Sequence, residues 1–207
     1  FEIQGALSSA RASYFHQSLG GYHAAKPRRI QQLFDYQIAK NNIEVLNMLN
    51  VKYIVQPDDK GNNIPGVNSG ANGNAWLVNE IKLASSPDEE MKLLKHTNTK
   101  KSAIVNHKEF PIFTHKNNYQ LDSLANITLV SYKPNHLVYS SKNQNKGLAV
   151  FSEIYYPKGW NAYIDGNLTP YACVDYLLRG MEIPAGKHKV EFKFEPARDI
   201  KGPMVQF

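Results

Sequence analysis

A chain of 207 residues with 24 Lys and Arg, 18 Asp and Glu, a net charge of +6 and 42% hydrophobic residues has material for one large or two small globular cores. No run approaches the ~20 apolar residues that crossing a bilayer takes, the opening FEIQGALSS lacks the basic start and apolar centre of a secretion signal, and a single cysteine, Cys173, excludes an internal disulfide framework. Such abrupt ends read as those of an excised piece, and the basic balance fits a solvated surface or attraction to anionic lipid headgroups or phosphorylated carriers. Nucleic acid is not expected as a partner, because the tightest cationic cluster, Lys26-Pro27-Arg28-Arg29, belongs to no recognisable binding motif.

Gly20-Gly21 breaks the mixed N-terminal pattern. Pro27 suits the first turn of a helix, and Ile30, Leu33, Phe34 and Ile38 follow at helical spacing, so an amphipathic helix is predicted from Arg28 to about Lys40. Asn42 can cap a second short helix carrying Val45, Leu46 and Leu49, and VKYIV (51–55) reads as a short buried strand. Residues 57–73, rich in Gly, Asn, Asp and Pro, read as a mobile loop. AWLVNEIKL (75–83) alternates like a strand. Ser86-Pro87-Asp88-Glu89-Glu90 opens a helix, with Ser86 at the cap, Pro87 at the first position and acids in the first turn; AIVN (103–106) is the next strand.

The polar stretch 108–122 marks a boundary between an N-terminal α/β layer domain, 1–118, and a C-terminal unit, 119–207. Beyond it, strands are predicted at 127–133, 136–141, 148–156, 160–165, 176–183 and 188–194. The last alternates strictly, with Val190, Phe192 and Phe194 on one face and Lys189, Glu191, Lys193 and Glu195 on the other. Asp165-Gly166-Asn167 and Pro184-Ala185-Gly186 supply turns. Short strands at regular spacing without a helix predict an antiparallel β-sandwich, making the whole chain α+β.

The chemistry-bearing residues are sparse. The seven histidines show no H-x-x-x-H or H-E-x-x-H spacing, no glycine loop carries a phosphate-binding lysine, and no G-x-S-x-G is present, so no catalytic residue, metal or cofactor is assigned. Cys173 reads as a buried structural thiol. Tyr155, Tyr156 and Tyr163, with Arg179, form a candidate glycan-binding group, to which Asp165 and Asp175 add hydrogen-bonding capacity. Trp160 shares a face with Ala162 and Ile164 and reads as a core anchor whose loss would cost roughly 3–5 kcal/mol. A second, basic-aromatic group, His16, His23, Lys26, Arg28 and Arg29, is a candidate phosphate or membrane-side contact.

Several longer runs carry a family resemblance. FSEIYYPKGWNAYIDG (151–166), YLLRGMEIPAGKH (176–188) and EFKFEP (191–196), preceded by ASYFHQSLGGYHAAKPRRIQQLFDYQI (12–38) and EVLNMLNVKYIV (44–55), resemble in their order the YfhO family of bacterial membrane proteins. That resemblance implies the extracytoplasmic, periplasmic-side region of a multi-pass protein whose membrane part looks like a lipid-linked-sugar glycosyltransferase of the GT-C-like superfamily. Enzymes of that superfamily use an acid in an early loop between membrane helices. No such loop occurs in this chain, so the chain alone is expected to be inactive. Its implied partners are the transmembrane portion of the same polypeptide and a glycan or polyprenyl-phosphate-linked sugar. A free-standing carbohydrate-binding module and a purely structural interaction domain remain the alternatives.

Overall fold

The computed structural model describes residues 1–3, 7–8, 10, 13–14, 16–21, 26–113 and 118–196. The N-terminal half runs α1 (Arg28–Tyr36), α2 (Ile43–Met48), β1 (Tyr53–Pro57), β2 (Asn63–Val67), β3 (Ala75–Val78), β4 (Glu80–Ala84), α3 (Pro87–Leu94) and β5 (Ser102–Asn106). The C-terminal half is all strand: β6 (Asn126–Lys133), β7 (His136–Asn143), β8 (Gly147–Ile154), β9 (Trp160–Ile164), β10 (Asn167–Leu168), β11 (Ala172–Val174), β12 (Leu178–Ile183) and β13 (Gly186–Phe194). The class is α+β, as the patterning predicts.

Local chemistry explains the helix ends. The Ser86 side chain accepts from the Glu89 N–H, and the Glu89 carboxylate reaches back to the Ser85 N–H at 2.7 Å, so α3 begins with its orphan donors satisfied. Asn42 caps α2 by accepting from Glu44 N–H. Pro27 stands at the cap position of α1, one residue before the expected place, and α1 ends at Tyr36; a 3₁₀ turn, Ile38–Lys40, then closes on Asn41 in the left-handed region.

Two antiparallel sheets form the sandwich. One has the order β10-β9-β13-β7-β6 and the other β11-β12-β8-β3. Leu137, Tyr139, Val190 and Phe192 from the first meet Ala149, Phe151, Met181 and Ile183 from the second. The four-stranded sheet has no wet face. Its other side, with Trp76, Val78, Leu148, Val150, Val174 and Leu178, enters a second core with Leu33 and Val45 of the helices and Ile104 of β5. This is why GLAVF (147–151) is apolar throughout rather than alternating.

Here the structure departs from the sequence expectations. The run 75–83 is two strands in different sheets: β3 pairs with β8, whereas β4 pairs in parallel with β5 across α3. The switch occurs at Asn79, whose N–H donates to Lys101 O at 2.8 Å and whose carbonyl accepts from Tyr119 N–H at 2.7 Å. The sandwich therefore takes a strand from before the expected 118/119 boundary, and the second core takes Ala172–Leu178 from beyond it. β1 is mostly exposed rather than buried, and it pairs with β2 inside the expected loop. Asp58 closes that hairpin by accepting from the Lys60 and Asn62 N–H groups. The run YACVDYLL (171–178) is a hairpin, and the strand expected from 176 starts only at Leu178. Asp175 (φ 49) and Tyr176 (φ 70) make the turn between β11 and β12, closed by Leu177 N–H to Val174 O at 3.2 Å. Two consecutive left-handed residues are the requirement of a tight hairpin turn, met here without glycine.

Candidate functional site

A groove of about 600 Å3 opens at one end of the sandwich, where the β9–β10 and β12–β13 turns face the segment around Ile112. Ile112, Pro170 and Pro184 form its apolar wall, while Asp165, His188, Lys146, Glu182, Asn167 and Thr169 bring polar groups to it. These groups are organised in two charge pairs. His188 Nδ1 lies 2.6 Å from Asp165 Oδ2, and its Nε2 lies 3.0 Å from Ala185 O. With an acceptor at each nitrogen, the ring is suited to the doubly protonated form. The hydrogen bond to Asp165, then the one to Ala185, raises its pKa. The same contact, with Lys189 N–H at 2.9 Å on the other oxygen, holds the Asp165 carboxyl below its ordinary value. Glu182 pairs with Lys146 and accepts from Tyr119 Oη at 2.8 Å. With both ring nitrogens engaged His188 has no free lone pair to take a proton, and the Asp165 carboxyl is held below its ordinary value. The groove is built to bind hydrogen-bonding groups, not for general acid–base work.

The expected glycan-binding group does not converge there. Arg179 is only 3% exposed because its β12 register, opposite Phe151, aims it between the sheets. Its Nε donates to Ile154 O at 3.1 Å, and its guanidinium carbon lies 4.4 Å from the Trp160 ring centroid and 4.9 Å from that of Phe192. Burial lowers its pKa and raises that of Glu153, each opposed by the other's charge. Tyr155 is half-buried in the same aromatic cluster, edge-on to Phe110 at 5.3 Å and Tyr171 at 5.4 Å. Tyr156 is 51% exposed. Tyr163 lies on the outer face of the five-stranded sheet, donating to Glu195 at 2.6 Å with Lys193 over its ring at 4.8 Å.

Trp160 does share a face with Ala162 and Ile164, but it remains half-buried, packed on Arg179 and Phe194. Gly159 before it (φ +89) has no room for a side chain, since a Cβ would come 2.7 Å from the Phe194 ring. Trp160→Ala is therefore expected to lower stability by about 2 kcal/mol, below the sequence-based figure, because only part of the ring leaves water on folding. A urea titration of the variant checks this.

The basic-aromatic group is dispersed as well. His16 is exposed, Lys26 Nζ bonds Gln31 Oε1 at 3.1 Å, and Arg28 is exposed on α1. His23 lies outside the described residues. Arg29 turns inward instead. Its Nη1 donates to Tyr176 O at 3.0 Å and meets Cys173 Sγ at 3.2 Å, while its Nη2 pairs with Glu109 at 3.0 Å. Beneath it lie two carboxyls that the sequence did not single out as a pair. Glu90 is 1% exposed and Asp175 is fully buried; Ile104 N–H donates to Asp175 Oδ1 at 2.8 Å, and Glu90 Oε2 and Asp175 Oδ2 have no hydrogen-bond partner among the described residues. Cys173 is buried as expected, and burial pushes its thiol up, away from nucleophile chemistry. Among the described residues no group of three or more His, Cys, Asp and Glu could hold a metal ion.

Among the described residues no helix is long and apolar enough to cross a membrane. No curated protein and no solved structure matches the chain. Residues 113–198 match the family model described as bacterial membrane protein YfhO, from the segment at Phe113 through the end of β13; the resembling blocks at 12–38 and 44–55 lie outside that match. The part of this chain that supplies eight of the nine sandwich strands is thus similar to the YfhO family of bacterial membrane proteins.

Proposed function

We propose that this chain is the extracytoplasmic part of a multi-pass membrane protein resembling lipid-linked-sugar glycosyltransferases, and that it holds an acceptor glycan rather than carrying out the transfer. The observation that carries this reading is the groove at the sandwich end. It combines a proline and isoleucine wall with amide, hydroxyl and carboxylate groups on fixed turns, the pairing of flat apolar and hydrogen-bonding surface that a sugar offers in return. The saturated hydrogen bonding of His188 and the paired state of Glu182 favour binding over catalysis, which leaves the chemistry to the transmembrane portion of the same polypeptide. A polyprenyl-phosphate-linked sugar or its transferred glycan on the periplasmic side is the ligand class this implies.

The test is binding of a panel of oligosaccharides, followed by two-dimensional NMR of the labelled chain. The expected result is shifts at Asn167, Thr169 and Lys146, with affinity falling about tenfold in Asn167→Ala/Thr169→Ala as two hydrogen bonds are lost. Shifts confined to Tyr155 and Tyr156 would move the site to the aromatic cluster. No binding across the panel would favour the interaction-domain alternative.

A further inference from the structure

Among the described residues, the outer face of the five-stranded sheet is a large sheet surface that neither core covers. The strand register fixes which side chains share it. Lys187, Lys189, Glu191, Lys193 and Glu195 stand on β13 and the residues after it; Lys142, Ser140, Val138 and His136 face outward on β7, with Thr128 and Lys133 on β6 and Tyr163 on β9. Five lysines and a histidine thus share a face with two carboxylates.

Those two carboxylates are occupied. Glu191 is only 5% exposed and lies under a histidine and two lysines: His136 Nε2 at 2.8 Å, Lys189 Nζ at 3.1 Å and Lys193 Nζ at 3.6 Å. Glu195 accepts from Tyr163 Oη at 2.6 Å and Asn161 Nδ2 at 2.9 Å. Of the remaining lysines, Lys187 stands directly across from the like charge of Lys142, and Lys133 stands across from His136 with no carboxylate opposite it. Like charges directly opposite across an antiparallel pair are destabilising, and a sheet face shaped by folding stability alone would alternate signs. Apolar side chains border the patch, with Leu168 of β10 69% exposed opposite Tyr163, and Val130, extruded by the β6 bulge, 64% exposed.

We propose that this face docks on the surface of an anionic phospholipid bilayer, with Lys133, Lys142, Lys187, Lys189 and Lys193 over headgroup phosphates and Leu168 and Tyr163 dipping at the margin. Three observations favour a bilayer over a soluble polyanion. The surface is a sheet face rather than a cleft; the exposed Leu168 and Val130 and the half-buried Tyr163 flank the cations; and residues 113–198 match a family of membrane proteins. Each lysine near an anionic surface adds a similar increment of binding, screened by salt. The inference does not rest on the glycan-binding reading, and vesicles without sugar test it separately.

The experiment is co-sedimentation of the chain with phosphatidylcholine vesicles, alone or with phosphatidylglycerol at about one lipid in three. The variant Lys133→Gln/Lys142→Gln/Lys187→Gln removes the three lysines that have no ion pair among the described residues, and it leaves the Glu191 cluster intact. A control, Lys92→Gln/Lys95→Gln/Lys101→Gln, makes the same charge change beyond the second core, on α3 and the segment before β5. Binding is expected only with phosphatidylglycerol, weakening about 100-fold in the sheet-face variant and less than about 3-fold in the control. Absence of binding to anionic vesicles at low salt would overturn the proposal, as would equal weakening in both variants. Displacement of the vesicles by polyphosphate at matched phosphate concentration would assign the face to soluble polyanions and overturn it too.

Discussion

The chain should be several kcal/mol less stable at pH 8 than at pH 5, a steep dependence for a domain whose total stability is of the order of 5–15 kcal/mol. The cause is the buried pair beneath Arg29. Burial raises Asp175 to about 8, with the nearby Glu90 charge adding to it and the Ile104 N–H opposing; burial raises Glu90 to about 7, with Arg29 opposing. Between the unfolded carboxylate range and these values the folded chain binds more protons than the unfolded one, so stability falls as pH rises. His188 acts in the same direction, because its raised value makes a contribution that is lost as pH climbs through it. Asp58, Glu89, Asp122, Asp165, Glu191 and Glu195 are held low, and their contributions are lost only as pH falls below the ordinary carboxylate range, which leaves the optimum near pH 5. Urea midpoints across this range at constant slope give the measurement. Asp175→Asn keeps an oxygen for Ile104 N–H and a side chain that tolerates the left-handed backbone, so it should flatten the profile and raise stability at pH 8. A profile as steep in that variant as in the parent would show that the carboxyl is not responsible.

Phe192→Ala should lower stability by about 3–5 kcal/mol. The ring is fully buried at the centre of the sandwich, edge-on to Phe151 at 4.9 Å and Tyr171 at 5.4 Å, with the Arg179 guanidinium over it. Its removal leaves a cavity and strips an aromatic face from a buried cation that has a single hydrogen bond among the described residues, so both the packing and the electrostatic losses fall at one point. Leu168→Ala, at an exposed position on the sheet margin, should stay within about 0.5 kcal/mol. Similar urea midpoints for the two variants would mean that the core relaxes around the missing ring.

Much of this architecture was legible in the residues where alternation is strict. β13, with Val190 and Phe192 inward and lysines outward, and α3, with its Ser-Pro-acid start, were plain. What could not be read was tertiary. Ala75–Leu83 alternates without a break signal, and only pairing with β8 on one side of Asn79 and β5 on the other divides it. The Asp175–Tyr176 turn carries no glycine or asparagine, so it passed for strand. Arg179 looked like a surface group because of its charge, although alternation sets it on the inner face of β12 with Met181 and Ile183. The groove draws Ile112, Lys146, Asp165 and Glu182 from four separate turns and strands, and no local spacing joins them.

The strand loan from the first half to the sandwich also sets a schedule for the growing chain. On a ribosome adding about 5–20 residues per second, β3 emerges well before its partner, because Val78 pairs with Leu148. For those seconds Ala75–Val78 is a free apolar edge, and the helices and the β4–β5 pair gather beside a core whose floor is not yet made. A nascent strand in that state is a ready target for a chaperone or for another copy emerging nearby. The second core therefore closes late, when β8 and the β11–β12 hairpin arrive, and only β13 of the sandwich core is made after it.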